Sequence, residues 1–250
     1  MNNNPLILAL ETSGRIGSAA LARADNLLAE HTFSTPVRHS SEVFPVISNL
    51  LGEFGLRPKE IDEIYVSIGP GSFTGLRIAA TFAKIMHLAN NAVRIVAVDT
   101  LDCIAANAED FSGEKNCDVE KIAAILDAKR GQFFTAVYKR VKEKKEQSGT
   151  MDGWQKIVED CLMTAEEFVE RFAKADEPVW LLGEGLVYYR QKFEAEGIKF
   201  TDEKYWTPKA SKIHLLGYKL AREGQFANPL ALQPKYLRAP DIKIKKLTGK

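Results

Sequence analysis

The residues best placed to do chemistry lie between Ile68 and Ala83, reading I-G-P-G-S-F-T-G-L-R-I-A-A-T-F-A. A glycine-rich turn that opens a helix presents free backbone N–H groups and a positive dipole end, the parts of an anion cradle. Gly69 and Gly71 allow backbone angles that a side chain forbids, Pro70 sets its own φ between them, and Ser72 and Thr74 are both N-cap candidates. The spacing fits neither the P-loop nor the dinucleotide fingerprint, because five residues after Gly69 stands Thr74 and no lysine follows. A strand-to-helix corner built for close packing would use the same residues, so both readings stay open. Arg77 adds one constraint. A cation in the first helical turn opposes the macrodipole and points to an acidic neighbour, a bound anion or a partner's carboxylate.

Other reactive constellations are missing. A metal site on one helix face needs histidines one turn apart. His31, His39, His87 and His214 are scattered: Val43 stands four residues after His39, and Ala83 and Asn91 flank His87 at that spacing. Surface or capping roles are expected for them. No G-x-S-x-G elbow appears, so Ser-His-Asp hydrolysis has no support. Cys103, Cys117 and Cys161 form an odd, widely spaced set without C-x-x-C, which fits buried reduced thiols better than a disulfide framework or zinc site.

Taken together, Gly69-Pro70-Gly71-Ser72-Phe73-Thr74-Gly75-Leu76-Arg77-Ile78 resembles the hallmark of the TsaB (YeaZ) family, the dimerisation subunit of the bacterial tRNA threonylcarbamoyladenosine complex. Supporting matches are Leu8-Ala9-Leu10-Glu11-Thr12-Ser13, His39-Ser40-Ser41-Glu42, Asp127-Ala128-Lys129 and Pro234-Lys235-Tyr236-Leu237-Arg238. Ala79 stands where the family usually continues with glycine, and Lys129 where it usually has arginine. The resemblance implies an α/β chain of the actin-like ATPase (ASKHA) fold shared with actin and sugar kinases, with two related domains. It also implies a non-catalytic scaffold with no catalytic or metal-binding residues and no cofactor of its own. ATP and metal would belong to partner subunits: a metal-bearing catalytic subunit, TsaD, and a small ATPase, TsaE. A homodimer is a further possibility, and tRNA would be engaged indirectly, through modification of the adenosine beside the anticodon of ANN-decoding tRNAs.

In nucleotide-binding members of that fold, each half supplies a phosphate loop with Asp, then Gly and Thr, after its first strand. The equivalent stretches here are Glu11-Thr12-Ser13-Gly14 and Asp127-Ala128-Lys129-Arg130-Gly131, whose glycines come late, so ATP hydrolysis is not expected. Gly183-Glu184-Gly185 could form an adenosine-side turn, a weak signal on its own. The main alternative is an enzyme of the same fold acting alone, a phosphotransferase or peptidase. A third is a regulatory homodimer.

Stepping along the chain, Leu6–Leu10, Ile16–Ala22 and Leu27–Phe33 read as a three-stranded meander. A helix from about Ser41 to Gly55, the strand Ile64–Ile68, the helix after the glycine turn and the strand Val93–Val98 follow. Leu101–Ala108 reads as a crossing helix and Asp110–Asp118 as a polar loop, which puts a boundary between domains at 1–108 and 109–250. The second domain then repeats the pattern in smaller, degenerate form. Its expected elements are paired strands at Ile122–Leu126 and Gln132–Tyr138, a strand near Ile157, a helix over Ala165–Ala173, the strand Val179–Leu182, a helix after Gly185 and a last helix over Lys209–Glu223. Lys139–Gln147 reads as a solvated hairpin or loop, with an RNA-touching loop as the alternative. The Lys and Arg of the basic tail Lys235–Lys250 could contact RNA without making a specific site, so any tRNA binding by the isolated chain is expected to be weak and salt-sensitive.

The two first-domain helices carry more apolar surface than a sheet needs. Val43, Phe44, Val46, Ile47, Leu50, Leu51 and Phe54 span an arc of roughly 160°, as do Ile78, Ala79, Phe82, Ala83, Ile85, Met86 and Ala89, against a stripe of ~100° for a single buried face. The small Ala79 and Ala83 would let a partner helix approach. The expected interface is therefore Val43, Ile47, Leu50, Phe73, Arg77, Ala79, Phe82, Ala83 and Met86.

The bulk numbers agree with a globular chain of 250 residues, long enough for two domains with real cores. Its net charge of +1 lacks the basic bias of a dedicated RNA-binding domain. No signal peptide or membrane-spanning run is legible, which points to the cytoplasm.

Overall fold

The computed structural model describes residues 4–33, 39–115, 119–141, 153–173 and 177–238. Strands β1 (Leu6–Glu11), β2 (Ser18–Arg23) and β3 (Asn26–Thr32) form the expected antiparallel meander. Helix α1 (His39–Glu53) leads to β4 (Glu63–Gly69), which pairs parallel to β1; helix α2 (Phe73–Ala89) leads to β5 (Arg94–Asp99), parallel to β4. The first sheet is ordered β3-β2-β1-β4-β5.

Helices α3 (Thr100–Ala105) and α4 (Asn107–Lys115) carry the chain into a second sheet built from β6 (Lys121–Asp127), β7 (Gln132–Arg140), β8 (Trp154–Thr164), β9 (Val179–Leu182) and β10 (Ile198–Phe200). Helix α5 (Ala165–Phe172) and the single turn α6 (Leu186–Tyr189) interrupt these strands, and α7 (Ala210–Arg222) follows them. Read from β8, the second sheet runs β8-β7-β6-β9-β10. Its first, second and third strands, then its fourth and fifth, occupy the places of their counterparts in the first sheet. This duplicated order, with an antiparallel meander joined to parallel strands, defines the actin-like ATPase fold.

Continuous apolar strands such as β1 must be covered on both faces. Successive side chains point to opposite sides: Leu6, Leu8 and Leu10 enter the core beneath α1 and α2, while Ile7 and Ala9 enter the core beneath α7. The last helix thus returns to cover the first sheet. A Cβ at its Gly217 would stand 2.6 Å from the Tyr65 ring, so only glycine lets α7 lie that close.

Two expectations need correction. Residues 110–115 continue helix α4 rather than forming a loop, because the buried Ala108 and Phe111 anchor that helix and Asn107 donates from its amide to the carbonyls of Tyr205 and Thr207. The short β10 was not foreseen at all. His214 is a buried residue, not a surface one: it contacts the Ala24 carbonyl at 2.8 Å and stacks on Tyr65. His31 pairs with Glu53, and His87 contacts the Val93 carbonyl. Cys103 is free and buried and Cys161 is free and half-buried. The charged run beyond Val141, up to Gln147, and the tail from 239 onward lie outside the described residues.

Candidate functional site

The glycine turn is a packing corner. A Cβ on Gly75 would lie 1.7 Å from the Thr12 carbonyl oxygen, one on Gly71 would lie 2.8 Å from Ser13, and one on Gly69, at φ +122°, would lie 2.7 Å from the Lys235 carbonyl. These glycines therefore let three backbone segments meet. Thr12 donates its hydroxyl to the Gly75 carbonyl at 2.7 Å, and the Ser72 N–H donates to the Ser13 carbonyl at 2.8 Å. Ser72 is the N-cap, its hydroxyl accepting from the Gly75 N–H; Thr74 is exposed and plays no such part. Arg77 spreads its guanidinium 3.7 Å above the Phe73 ring and donates to the Tyr236 hydroxyl at 3.2 Å. Its partners among the described residues are therefore aromatic, with no carboxylate found for it.

A cleft of about 760 Å³ opens between the halves, lined by the signature turn, the loops after β1 and β6, Glu184, Tyr188 and the segment Lys235–Arg238. The two stretches that the sequence resemblance matched to phosphate loops both line it, so the fit of their residues to phosphate can be tested directly. The Ser13 N–H and hydroxyl both donate to Glu11 at 2.5 Å. The Arg15 N–H donates across the cleft to Glu184 at 2.6 Å, and the Lys129 N–H donates to Asp127 at 2.7 Å. Three carboxylates thus occupy backbone donors that a phosphate cradle would present. Burial raises the Glu11 carboxyl above its ordinary range, against the hydrogen bonds from Ser13, and does the same to Glu184. These residues do not fit a nucleotide's phosphates.

Gly183-Glu184-Gly185 is explained by the same close approach. A Cβ on Gly183, at φ +120°, would lie 2.3 Å from the Ile125 carbonyl, and the turn delivers Glu184 to the other half. Lys129 and Arg130 both sit at positive φ, 63° and 59°, a left-handed pair that non-glycine residues adopt at some cost.

The segment Pro234–Arg238 straps the cleft. Its Lys235 N–H donates to the Ile68 carbonyl at 2.7 Å, while the Lys235 ammonium reaches Asp99 of the first half and Asp160 of the second, both at 2.7 Å. Arg238 donates to the Ala128 carbonyl at 2.6 Å and to the Gln132 side chain. Lys156 continues the network, meeting Asp160 at 2.9 Å and Asp102 at 2.7 Å, and Tyr138 donates to Asp102. Burial raises the Asp99 carboxyl. It acts the same way on Asp160, but there the Lys156 and Lys235 cations outweigh it and hold that carboxyl low. The strap was legible only as a family match, and its geometry required the fold.

The helix residues divide differently from the helical-wheel expectation. Val43, Ile47, Leu50, Ala79, Phe82 and Ala83 are buried in the core beneath α1 and α2. Ala83 is fully covered, because the small side chains let α2 settle onto its own sheet rather than onto a partner. The wide arc is split between this core and an outward face with Phe44 (61% exposed) and Ile85 (50%), which Leu88 (73%) extends into a ridge, with Met86 half-buried and Phe73 exposed at the helix start. Leu88 escaped the sequence reading because it lies beyond the arc drawn for α2. Among the described residues no cluster of three or more His, Cys, Asp or Glu could hold a metal ion, and no helix is long and apolar enough to cross a membrane.

With this geometry in place, known proteins can be compared. Residues 27–246 match the family model of TsaD, tRNA N6-adenosine threonylcarbamoyltransferase, which defines the class: an actin-like fold of the threonylcarbamoyltransferase type. Within it, the chain is 30% identical to the tRNA threonylcarbamoyladenosine biosynthesis protein TsaB of Bacillus subtilis, with 96% of each chain covered. It is 25% identical to the Escherichia coli protein of the same name, covering 98% of this chain and 99% of that one. The chain belongs to the TsaB family. The crystal structure of a Pseudomonas aeruginosa protein with similarity to the peptidase YeaZ shares the fold, with a TM-score of 0.76 at 24% identity over 94% of this chain and 100% of that one.

Proposed function

We propose that this chain serves tRNA threonylcarbamoyladenosine biosynthesis in the cytoplasm as a non-catalytic subunit that pairs with a TsaD-type transferase through the α1/α2 ridge. The observation that carries the reading is the occupied cleft. Glu11, Asp127 and Glu184 take up backbone donors that a nucleotide would need, which favours a supporting role over the alternative of an actin-like enzyme acting alone. Phe44, Ile85 and Leu88 give the first domain a hydrophobic ridge of the kind that becomes the core of an interface. Phe73, Arg77 and Met86 flank it. In this reading ATP and metal belong to the partner subunits, including a small ATPase of the TsaE type, and self-pairing through the same ridge would compete with the transferase.

The test is to measure ATP turnover by the purified chain and its affinity for the TsaD-type subunit from the same organism. Background turnover and a stable mixed complex are expected. Turnover that co-purifies with the folded chain and is abolished by Glu11→Ala would overturn the non-catalytic role, and failure to pair would overturn the scaffold role.

A further inference from the structure

Resting on the reading above, we infer that the mouth of the cleft is a direct contact surface for unstacked RNA, built from cations and aromatic rings at the carboxyl ends of β1, β6 and β9. The loops that close these strands carry Arg15, Lys129 and Tyr188 to the rim. Arg15 is exposed, with its guanidinium 4.9 Å from the centre of the Tyr188 ring; Tyr188 is 67% exposed, and the Lys129 side chain 80%. On the opposite lip stands Tyr236, 40% exposed, its ring 5.2 Å from Phe73.

The lining holds four cations, Arg15, Lys129, Lys235 and Arg238, against two acids, Asp127 and Glu184. Glu184 faces inward onto the Arg15 N–H and burial favours its neutral form, while Asp127 accepts from both the N–H and the ammonium of Lys129, at 2.7 and 2.6 Å. Lys235 is likewise held by Asp99 and Asp160, so among the described residues the positive charge of the rim rests on Arg15 and Arg238, with the exposed Lys129 ammonium shared with Asp127. An exposed ring beside a guanidinium is a platform on which a base stacks while a cation meets the adjoining phosphate. A free mononucleotide is a poorer fit, because its phosphates would seek the backbone donors that Glu11, Asp127 and Glu184 hold. A membrane surface is poorer too, since among the described residues the rim offers exposed tyrosines and no exposed aliphatic wedge.

The experiment uses the complex of the full chain with its TsaD-type partner, an unmodified ANN-decoding tRNA transcript as probe, and binding isotherms over a range of salt. Tyr188→Ala should weaken tRNA binding by roughly fivefold or more, while Tyr188→Phe keeps it, because stacking needs the ring and not the hydroxyl. Arg15→Ala combined with Lys129→Asn should weaken binding about tenfold and lower the salt slope by between one and two. Asparagine is chosen at 129 because it tolerates the left-handed backbone there. Thermal unfolding and pairing with the partner, measured on each variant, should be unchanged.

Unaltered tRNA affinity and salt slope in folded, paired variants would overturn the inference and leave the scaffold reading intact. Loss of pairing with tRNA affinity retained would reassign the rim to a protein interface. Displacement of the tRNA by ATP alone would reassign it to a mononucleotide. If the wild-type chain does not pair at all, the scaffold reading fails first, and tRNA binding by the isolated chain at low salt then decides the rim separately.

Discussion

The two halves share one strand order and differ in what lies over it. The first sheet is covered by α1 and α2, of 15 and 17 residues, and by α7 on its other face. The second is covered by shorter helices, α3 and α4 of 6 and 9 residues, the 8-residue α5 and the single turn α6, around a core rich in aromatic rings where Phe133, Phe168 and Phe193 pack edge to face. Long helices on one half provide both a core face and a spare face; short ones provide only a core. The first half thus has an apolar helix face to offer another protein, while the second lends its loops and the exposed Tyr188 to the cleft.

The sharpest way to break that comparison is to charge the two faces of α2 in turn. Ala83→Arg forces a cation into a fully buried site. It should cost more than about 5 kcal/mol, enough to consume a typical folding stability, so the chain should be recovered unfolded or aggregated by circular dichroism. A cooperative melt near the wild-type temperature would mean that this face is not core. Gly75→Ala comes next, because its Cβ would overlap the Thr12 carbonyl. A loss of at least about 3 kcal/mol is expected from overpacking a backbone contact, read as a fall in the denaturant midpoint.

Lys235→Met tests whether the strap joins the halves. Asp99 and Asp160 would lose a shared cation, for an expected cost of about 2 kcal/mol at pH 7, less than for a fully buried pair because Lys235 is partly solvated. The sign with pH follows from Asp99. Burial already raises its folded pKa, and without Lys235 it rises further, so protonation favours the folded variant and its deficit should narrow as pH falls toward 5. In the wild type, Asp160 has a lowered folded pKa, so its stabilising contribution is present above the ordinary aspartate range and is lost as pH falls through the lowered value. Melting curves of both proteins between pH 7.5 and 5 check this, and a deficit that widens on acidification would contradict the assignment.

Leu88→Asp addresses the spare face. The chain should melt as wild type while its affinity for the TsaD-type subunit falls roughly tenfold, about 1.4 kcal/mol; unchanged affinity would move the interface off the ridge. The smallest effect is expected from Gly113→Ala in α4, where a Cβ meets nothing within 4 Å. Helix propensity alone should then raise stability by up to about 1 kcal/mol, against the large loss at Gly75, and a loss here would mean that α4 is constrained by something other than its own helix.

Strands and helices were largely legible in order because hydrophobic periodicity and glycine breaks are local signals. β9 at Val179–Leu182 and the Ser72 N-cap fall where the sequence places them. What local signals could not decide was the role of residues whose neighbours are far away in the chain. Nothing in G-P-G-S-F-T-G distinguishes a phosphate cradle from a packing corner until the Thr12 carbonyl is found against Gly75. The helical wheel measured how much of α2 is apolar, but only the sheet beneath it decides that Ala79 and Ala83 face inward and Leu88 outward. The same holds for one carboxylate of the cleft: Glu11 and Asp127 take N–H groups two residues on in their own loops, but Glu184 is an ordinary carboxylate in sequence and meets the Arg15 N–H only when the two halves come together. Composition and periodicity act over one turn or one strand and determined the elements; burial and hydrogen-bond pairing act across the chain and decided their use.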